Sequence, residues 1–158
     1  MSKVILICGK ICVGKSTYAE KIRAESNAVL LSVDEIMLAV FGQYVGEKHD
    51  EYVRNVKQYI FDKSLEILQA GADVLLDWGF WTKEHRNYSK EFYRQRGISC
   101  ELHLIDISDE EWRRRIEKRN AAVFAGDKNA YFVDENLLKK FEEGYETPDT
   151  DEVDVWVK

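Results

Sequence analysis

The chain has 158 residues, 45% of them hydrophobic and 33% charged, with a net charge of −6. That is the size of one domain with a real core, too short for two, and the ordinary hydrophobic fraction speaks against disorder. The acidic balance speaks against a duplex nucleic-acid binder, which needs a basic footprint to neutralise phosphates. No apolar run approaches the length of a membrane span and no signal-peptide pattern opens the chain, so a cytoplasmic protein without a membrane partner is expected. The cysteines Cys8, Cys12 and Cys100 are odd in number in a chain large enough to do without staples, so a disulfide framework is not expected. Nor is a zinc site, because Cys100 and His103 stand three apart in a strand-like run and face opposite ways.

Taken in chain order, strand-like apolar runs fall at Lys3–Cys8, Ala28–Val33, Asp73–Leu76, Ser99–Asp106 and Val153–Val157. Helical stretches lie between them at Lys15–Glu25, Asp50–Ala70, Lys83–Arg96, Asp109–Ala122 and Asp134–Glu143, with Gly71, Gly97 and Gly144 as stops. Strands alternating with helices predict an α/β fold with a mostly parallel sheet covered on both faces. The segment 120–133, with a turn signal at its middle, reads as a lid or as an ordinary connection between helices.

Directly behind the first strand, Gly9-Lys10-Ile11-Cys12-Val13-Gly14-Lys15-Ser16-Thr17 satisfies G-x-x-x-x-G-K-[ST], the phosphate-binding loop. Glycines let the backbone wrap a phosphate so that N–H groups, including those of Ile11, Cys12 and Val13, point inward. Lys15 then reaches the β- and γ-phosphates, Ser16 ligates Mg²⁺, and the helix opening near Thr17 faces the anion with its positive end. The expected ligands are therefore a nucleoside triphosphate and Mg²⁺. In a parallel sheet ligands bind outside the carboxyl ends of the strands, and three further strands end in an aspartate, at Asp34, Asp77 and Asp106. A GTPase is disfavoured, because Phe80 rather than glycine follows Asp77 by three and the guanine motif is absent. A ring-forming ATPase is disfavoured by the short distance from Lys15 to Asp34-Glu35 and by the length of the chain.

The loop, Ser32-x-Asp34, the block Leu75-Leu76-Asp77-Trp78-Gly79-Phe80-Trp81 with Arg86 behind it, and the arginine-rich helix to Arg119-Asn120 resemble the small P-loop kinases. These are the zeta-toxin, chloramphenicol phosphotransferase and polynucleotide-kinase-like group, related to the nucleoside monophosphate kinases. The resemblance covers nearly the whole chain. It implies a three-layer P-loop NTPase fold, a five-stranded parallel sheet in the order 2-3-1-4-5, ATP and Mg²⁺ as co-substrates, and a small helical lid. It also implies that Asp34 is the base for the attacking hydroxyl, although an aspartate there equally caps a helix over Glu35–Leu38. Asp77 either holds Mg²⁺ or orients the acceptor. Arg119 and Arg115, four apart on one helix side, either clamp the transferring phosphate or simply pair with Glu111 and its neighbours on a solvated face. The tail Tyr145–Asp149 occupies the place where the family often passes the adenine.

The acceptor side is expected around Met37, Trp78, Phe80 and Trp81, residues that serve equally well as core. Arg86 either anchors an anionic substrate group or pairs with Glu84, Glu91 or another surface carboxylate. Polynucleotide kinases of the group carry an arginine three residues after the catalytic aspartate; Met37 stands there here, which disfavours nucleic-acid ends. The leading expectation is a kinase that phosphorylates a hydroxyl of a small molecule. A toxin-like or nucleotide-directed kinase acting on an activated sugar or nucleoside monophosphate, and a non-catalytic nucleotide-binding module, are the alternatives.

Overall fold

Lys3–Cys8 (β1) is the middle strand of a five-stranded, all-parallel sheet in the order β2-β3-β1-β4-β5, the order that the kinase resemblance implies. The computed structural model describes residues 1–128 and 130–158; Asn129, inside the expected lid, lies outside the described residues. The remaining strands are Ala28–Ser32 (β2), Asp73–Gly79 (β3), Ser99–Ile105 (β4) and Val155–Val157 (β5). The helices are Lys15–Glu25 (α1), Val33–Phe41 (α2), His49–Gln69 (α3), Lys83–Arg94 (α4), Asp109–Phe124 (α5) and Glu135–Gly144 (α6). Among the described residues no helix is long and apolar enough to cross a membrane.

Successive side chains of a strand point to opposite faces, so a strand covered on both sides reads as one continuous apolar run. In β1, Val4, Leu6 and Cys8 face one core, shared with Val33, Met37, Ile60, Phe61 and Tyr93, while Ile5 and Ile7 face the other, with Val13 and Ala19. Each such aliphatic side chain, once buried, contributes roughly 1.5–3 kcal/mol. In the first core the Tyr93 hydroxyl lies 2.7 Å from Ser64 Oγ, which donates to the Phe61 carbonyl at 2.7 Å, so a buried hydroxyl pair is satisfied.

The ends of several elements differ from the sequence reading, each for a local reason. The strand expected to stop at Leu76 continues to Gly79, and the β1–β3 register shifts so that Asp77 faces Ile7 and Gly79 faces Cys8. Such an extra residue bends a strand and re-aims its side chains. α2 is a full helix capped by Ser32, whose side chain accepts from the Glu35 N–H at 3.3 Å. α5 runs on to Phe124, so the first part of the expected lid is the end of a helix, and the described residues between 125 and 134 are irregular rather than a small helical lid. Asn120 holds both ends of that loop together: its Nδ2 donates to the Val133 carbonyl at 2.8 Å and its Oδ1 accepts from the Val133 N–H at 2.7 Å.

One side of α4 fastens the last segment of the chain. Lys83, Arg86 and Lys90, spaced along one helix face, bind Asp149, Glu152 and Asp154 respectively, and Asp154 in turn accepts from the Leu102 N–H of β4 at 2.7 Å.

Candidate active site

The phosphate loop turns between β1 and α1 with Cys12 at φ 59° and Gly14 at φ 104°, left-handed values that only glycine adopts without strain. A Cβ on Gly14 would stand 2.6 Å from the Arg115 guanidinium, and one on Gly9 would stand 2.7 Å from Val13 and 3.1 Å from the Ile105 carbonyl. The glycines thus secure close approach as well as the turn. α5 braces the loop from outside: Trp112 Nε1 donates to the Ile11 carbonyl at 2.6 Å, Arg115 donates to the Val13 carbonyl, and Lys10 lies 4.6 Å above the Trp112 ring. The Lys15 ammonium sits over the loop, donating to the Lys10 carbonyl at 2.7 Å. Burial pulls its pKa down, while Asp77 and Asp34 push it back up and Arg119 adds to the lowering. Ser16 and Thr17 are exposed on the first turn of α1, whereas Cys12 and Val13 are buried in the loop.

By the two-residue period of β3, Asp77 falls on the same face as Leu75, the face covered by α1. Ser16 Oγ accordingly donates to Asp77 Oδ2 at 3.4 Å. Asp77 is buried, which raises its pKa; Lys15 lowers it and Asp34 raises it further. A hydroxyl and a carboxylate oxygen side by side form a hard donor set suited to Mg²⁺, so Ser16 and Asp77 fit the ion and the turned loop fits a triphosphate.

Asp34 stands exposed in the first turn of α2, at the same sheet edge. Because Ser32 caps the helix, the carboxylate of Asp34 is not the cap, and among the described residues it makes no hydrogen bond or ion pair. Its charge acts on Lys15, Asp77, Lys57 and Tyr131. Asp106 is exposed just beyond β4, apart from these groups, and its N–H is bound to the Val157 carbonyl at 2.9 Å. Arg119, half-buried on α5, adds positive charge near Lys15, Asp77 and Cys12. Arg115 is held between Val13 and Glu111, with Nε 2.8 Å from the carboxylate.

The expected acceptor wall divides. Met37 is 1% exposed and Phe80 0%, so both belong to the core and present no surface to a ligand. Trp78 is half-buried and stacks near Phe61 and Phe80, while Trp81 packs edge-on against Phe141. Arg86, expected as a substrate anchor, is 1% exposed and committed to the fold: Nε lies 2.9 Å from Glu152, and Nη1 donates to the Phe80, Trp81 and Glu146 carbonyls. Of the carboxylates it could pair with, its partner is Glu152, neither Glu84 nor Glu91, because α4 lies against the last segment of the chain.

Three groups outside the motifs join the site from distant parts of the chain. Lys57 of α3 lies with its ammonium 5.8 Å from the Trp78 ring centroid. His85 of α4 has its pKa lowered by burial and then by the charge of Lys57. The Tyr131 hydroxyl is buried without a hydrogen-bond partner among the described residues. Burial, with Asp34 adding, pushes its pKa up to about 12. The sequence signal for Lys57 was its position one turn before Phe61 on the face that α3 turns to the sheet; no local motif marks it.

A family model described as "AAA domain" matches residues 4–148. The chain belongs to this family. No curated protein matches it. Among solved structures it is similar to the Pnkp1/Rnl/Hen1 RNA repair complex at 20% identity and TM-score 0.71, covering 90% of this chain and 43% of that one. It is also similar to the APS kinase CysC of Mycobacterium tuberculosis, solved with AMPPNP and APS, at 16% identity and TM-score 0.65, over 99% and 87% of the two chains. A sugar kinase from Janibacter sp. HTCC2649 matches at 14% identity and TM-score 0.63, over 99% and 85%. The chain thus spans under half of the RNA repair protein it resembles, and these structures share its fold.

Proposed function

We propose that the protein is an ATP- and Mg²⁺-dependent phosphotransferase that moves the γ-phosphate to a hydroxyl of a small molecule. The observation that carries this reading is Asp34: a carboxylate at the same sheet edge as the phosphate loop, released from helix capping by Ser32 and acting electrostatically on both Lys15 and Asp77. A plain nucleotide binder has no use for a second unpaired carboxylate beside a triphosphate.

In this reading the loop from Gly9 to Thr17 holds the phosphates and Lys15 neutralises their β- and γ-oxygens. Asp34 takes the proton of the acceptor hydroxyl as its oxygen bonds to the γ-phosphorus, the bond from that phosphorus to the bridging oxygen breaks, and ADP leaves. Ser16 and Asp77 would hold Mg²⁺, whose charge offsets that of the β- and γ-phosphates. Arg119, and Arg115 if it leaves Val13, stabilise charge on the transferring group. Adenine is assigned to the cleft of about 210 Å³ lined by Lys10, Val13, Ile105, Tyr145, Thr147 and Trp156. The free thiols of Cys8, Cys12 and Cys100 suit a cytoplasmic setting.

The test is ADP release over a panel of sugars, nucleosides, nucleotides and antibiotics, against the water-hydrolysis background. Asp34→Asn is expected to lower transfer by roughly 10²–10⁴-fold while ATP affinity stays within a few-fold. Normal transfer by that variant removes Asp34 from the role of base.

A further inference from the structure

The acceptor side of the site carries a cation that the phosphate loop does not use. Lys57 stands on the half of α3 nearest the carboxyl edge of the sheet, since α3 leads down to the start of β3 at Asp73. Its ammonium lies 5.8 Å from the Trp78 ring centroid and makes no hydrogen bond or ion pair among the described residues. Lys3, Lys63 and Lys83 are paired with carboxylates, and Lys21, Lys48 and Lys118, unpaired among the described residues, stand exposed in solvent. Lys57 is half-buried yet pairs with none. α2 and α3 pack into one core at the carboxyl edge of the sheet, Val33 and Met37 against Ile60 and Phe61, so Asp34 and Lys57 stand at the same end of the sheet with no hydrogen bond or ion pair between them. The Tyr131 hydroxyl, also within the field of Asp34, is buried and unpartnered there, and a polar group left so costs stability unless a ligand satisfies it.

A lone ammonium on an aromatic face beside a carboxylate that activates hydroxyls suits a particular ligand. That ligand bears a hydroxyl for Asp34 and, a few bonds away, a negative group for Lys57.

We propose that Lys57 selects the acceptor: it holds an anionic substituent, phosphate or carboxylate, on the hydroxyl compound that Asp34 activates. This inference rests on the phosphotransferase reading. It narrows the acceptors to sugar phosphates, nucleotides and hydroxy acids over neutral sugars and nucleosides.

Two measurements on the full chain test it. In the first, enzyme loaded with AMPPNP and Mg²⁺ is titrated with inorganic phosphate and, separately, acetate, followed by tryptophan fluorescence, because Trp78 lies beneath Lys57. Saturable binding of either anion is expected, weakened about ten- to a hundredfold in Lys57→Met and largely retained in Lys57→Arg. The anion that binds more tightly tells a phosphate ester from a carboxylic acid. Equal titrations for wild type and Lys57→Met, or no saturable binding of either anion, overturn the proposal. In the second, ADP release is compared within pairs: glucose with glucose 6-phosphate, adenosine with adenosine monophosphate, glycerol with glycerate. The anionic member is expected to have the lower KM, and Lys57→Met to erase that difference within the pair. A neutral member preferred by the wild type, or a loss in Lys57→Met that is equal on both members and confined to kcat, overturns it, since a mere counter-charge for Asp34 gives that result. If no member of the panel releases ADP while the anion titration still depends on Lys57, the phosphotransferase reading fails on its own and the anion site stands.

Discussion

The two halves of the site differ in how far the chain satisfies its own polar groups. Around the phosphate loop, Lys15 donates to the Lys10 carbonyl, Ser16 to Asp77, Trp112 to Ile11 and Arg115 to Val13. Across the sheet edge, Asp34, Lys57 and the Tyr131 hydroxyl make no hydrogen bond among the described residues. A satisfied network holds its shape before anything binds, as a cradle for a triphosphate must. Unsatisfied groups cost stability and gain only when a partner arrives, which suits a half whose task is to tell one acceptor from another. The contrast separates binding rigidity from binding selectivity within a single sheet edge.

The largest break in that contrast comes from beneath both halves. Arg86→Ala leaves the half-buried Glu152 carboxylate with only the Asp149 N–H and frees the Phe80, Trp81 and Glu146 carbonyls. Loss of about 3–5 kcal/mol of stability is expected, read as a large drop in the midpoint of urea unfolding; a near-normal midpoint would show that the 146–154 segment does not depend on Arg86. Within the donor half, Lys15→Ala should lower kcat/KM by about 10²–10³-fold and weaken ATP binding measured by calorimetry. Unchanged affinity would remove the loop from nucleotide binding.

Asp34→Asn sharpens the comparison, since it should spare ATP affinity and strike only transfer. Tyr131→Phe goes further in the same direction. Removing an unpartnered buried hydroxyl should leave the free protein as stable or more stable by up to about 1 kcal/mol while raising KM for the acceptor. A clear loss of stability instead would mean that the hydroxyl has a partner inside the fold.

The smallest effect concerns Asp77, whose pKa burial raises against the pull of Lys15. A carboxyl with a folded pKa above its unfolded value adds stability below the unfolded value and loses it as pH rises through the folded one. At neutral pH the ionised side chain therefore opposes folding. Asp77→Asn is expected to melt slightly above wild type at pH 7, with the gap closing as pH falls through the raised folded pKa and gone below about 4, the ordinary carboxylate value. A gap that widens on acidification would reverse the sign of the Asp77–Lys15 balance.

Much of the donor half was legible from the chain because it is local: one stretch from Gly9 to Thr17 contains its glycines, lysine and hydroxyl, and the βα order sets which edge of the sheet it occupies. The strand positions were legible for a similar reason, since a parallel strand buried on both faces leaves an unbroken apolar run. The acceptor half was read less well. Aromatic and apolar residues after Asp77 look the same whether they line a pocket or fill a core, and Phe80 and Met37 fill the core. Arg86 looks like a ligand for anions until α4 is laid against Glu152. Ser32 rather than Asp34 caps α2, a choice of one turn of backbone that composition does not reveal.

By itself the sequence determined the phosphate loop, the parallel sheet and the emergence of Asp34 and Asp77 at one edge, because each follows from short-range pattern and from the periods of strand and helix. Only the tertiary structure decided which side chains share the space beyond that edge. Lys57, His85 and Tyr131 come from three separate elements with no common motif; the charge of Asp34 reaches Lys57 and Tyr131, and that of Lys57 reaches His85, because α3, α4 and the segment after α5 pack around the same end of the sheet. Packing of apolar faces sets those positions, and the charges are carried there with them.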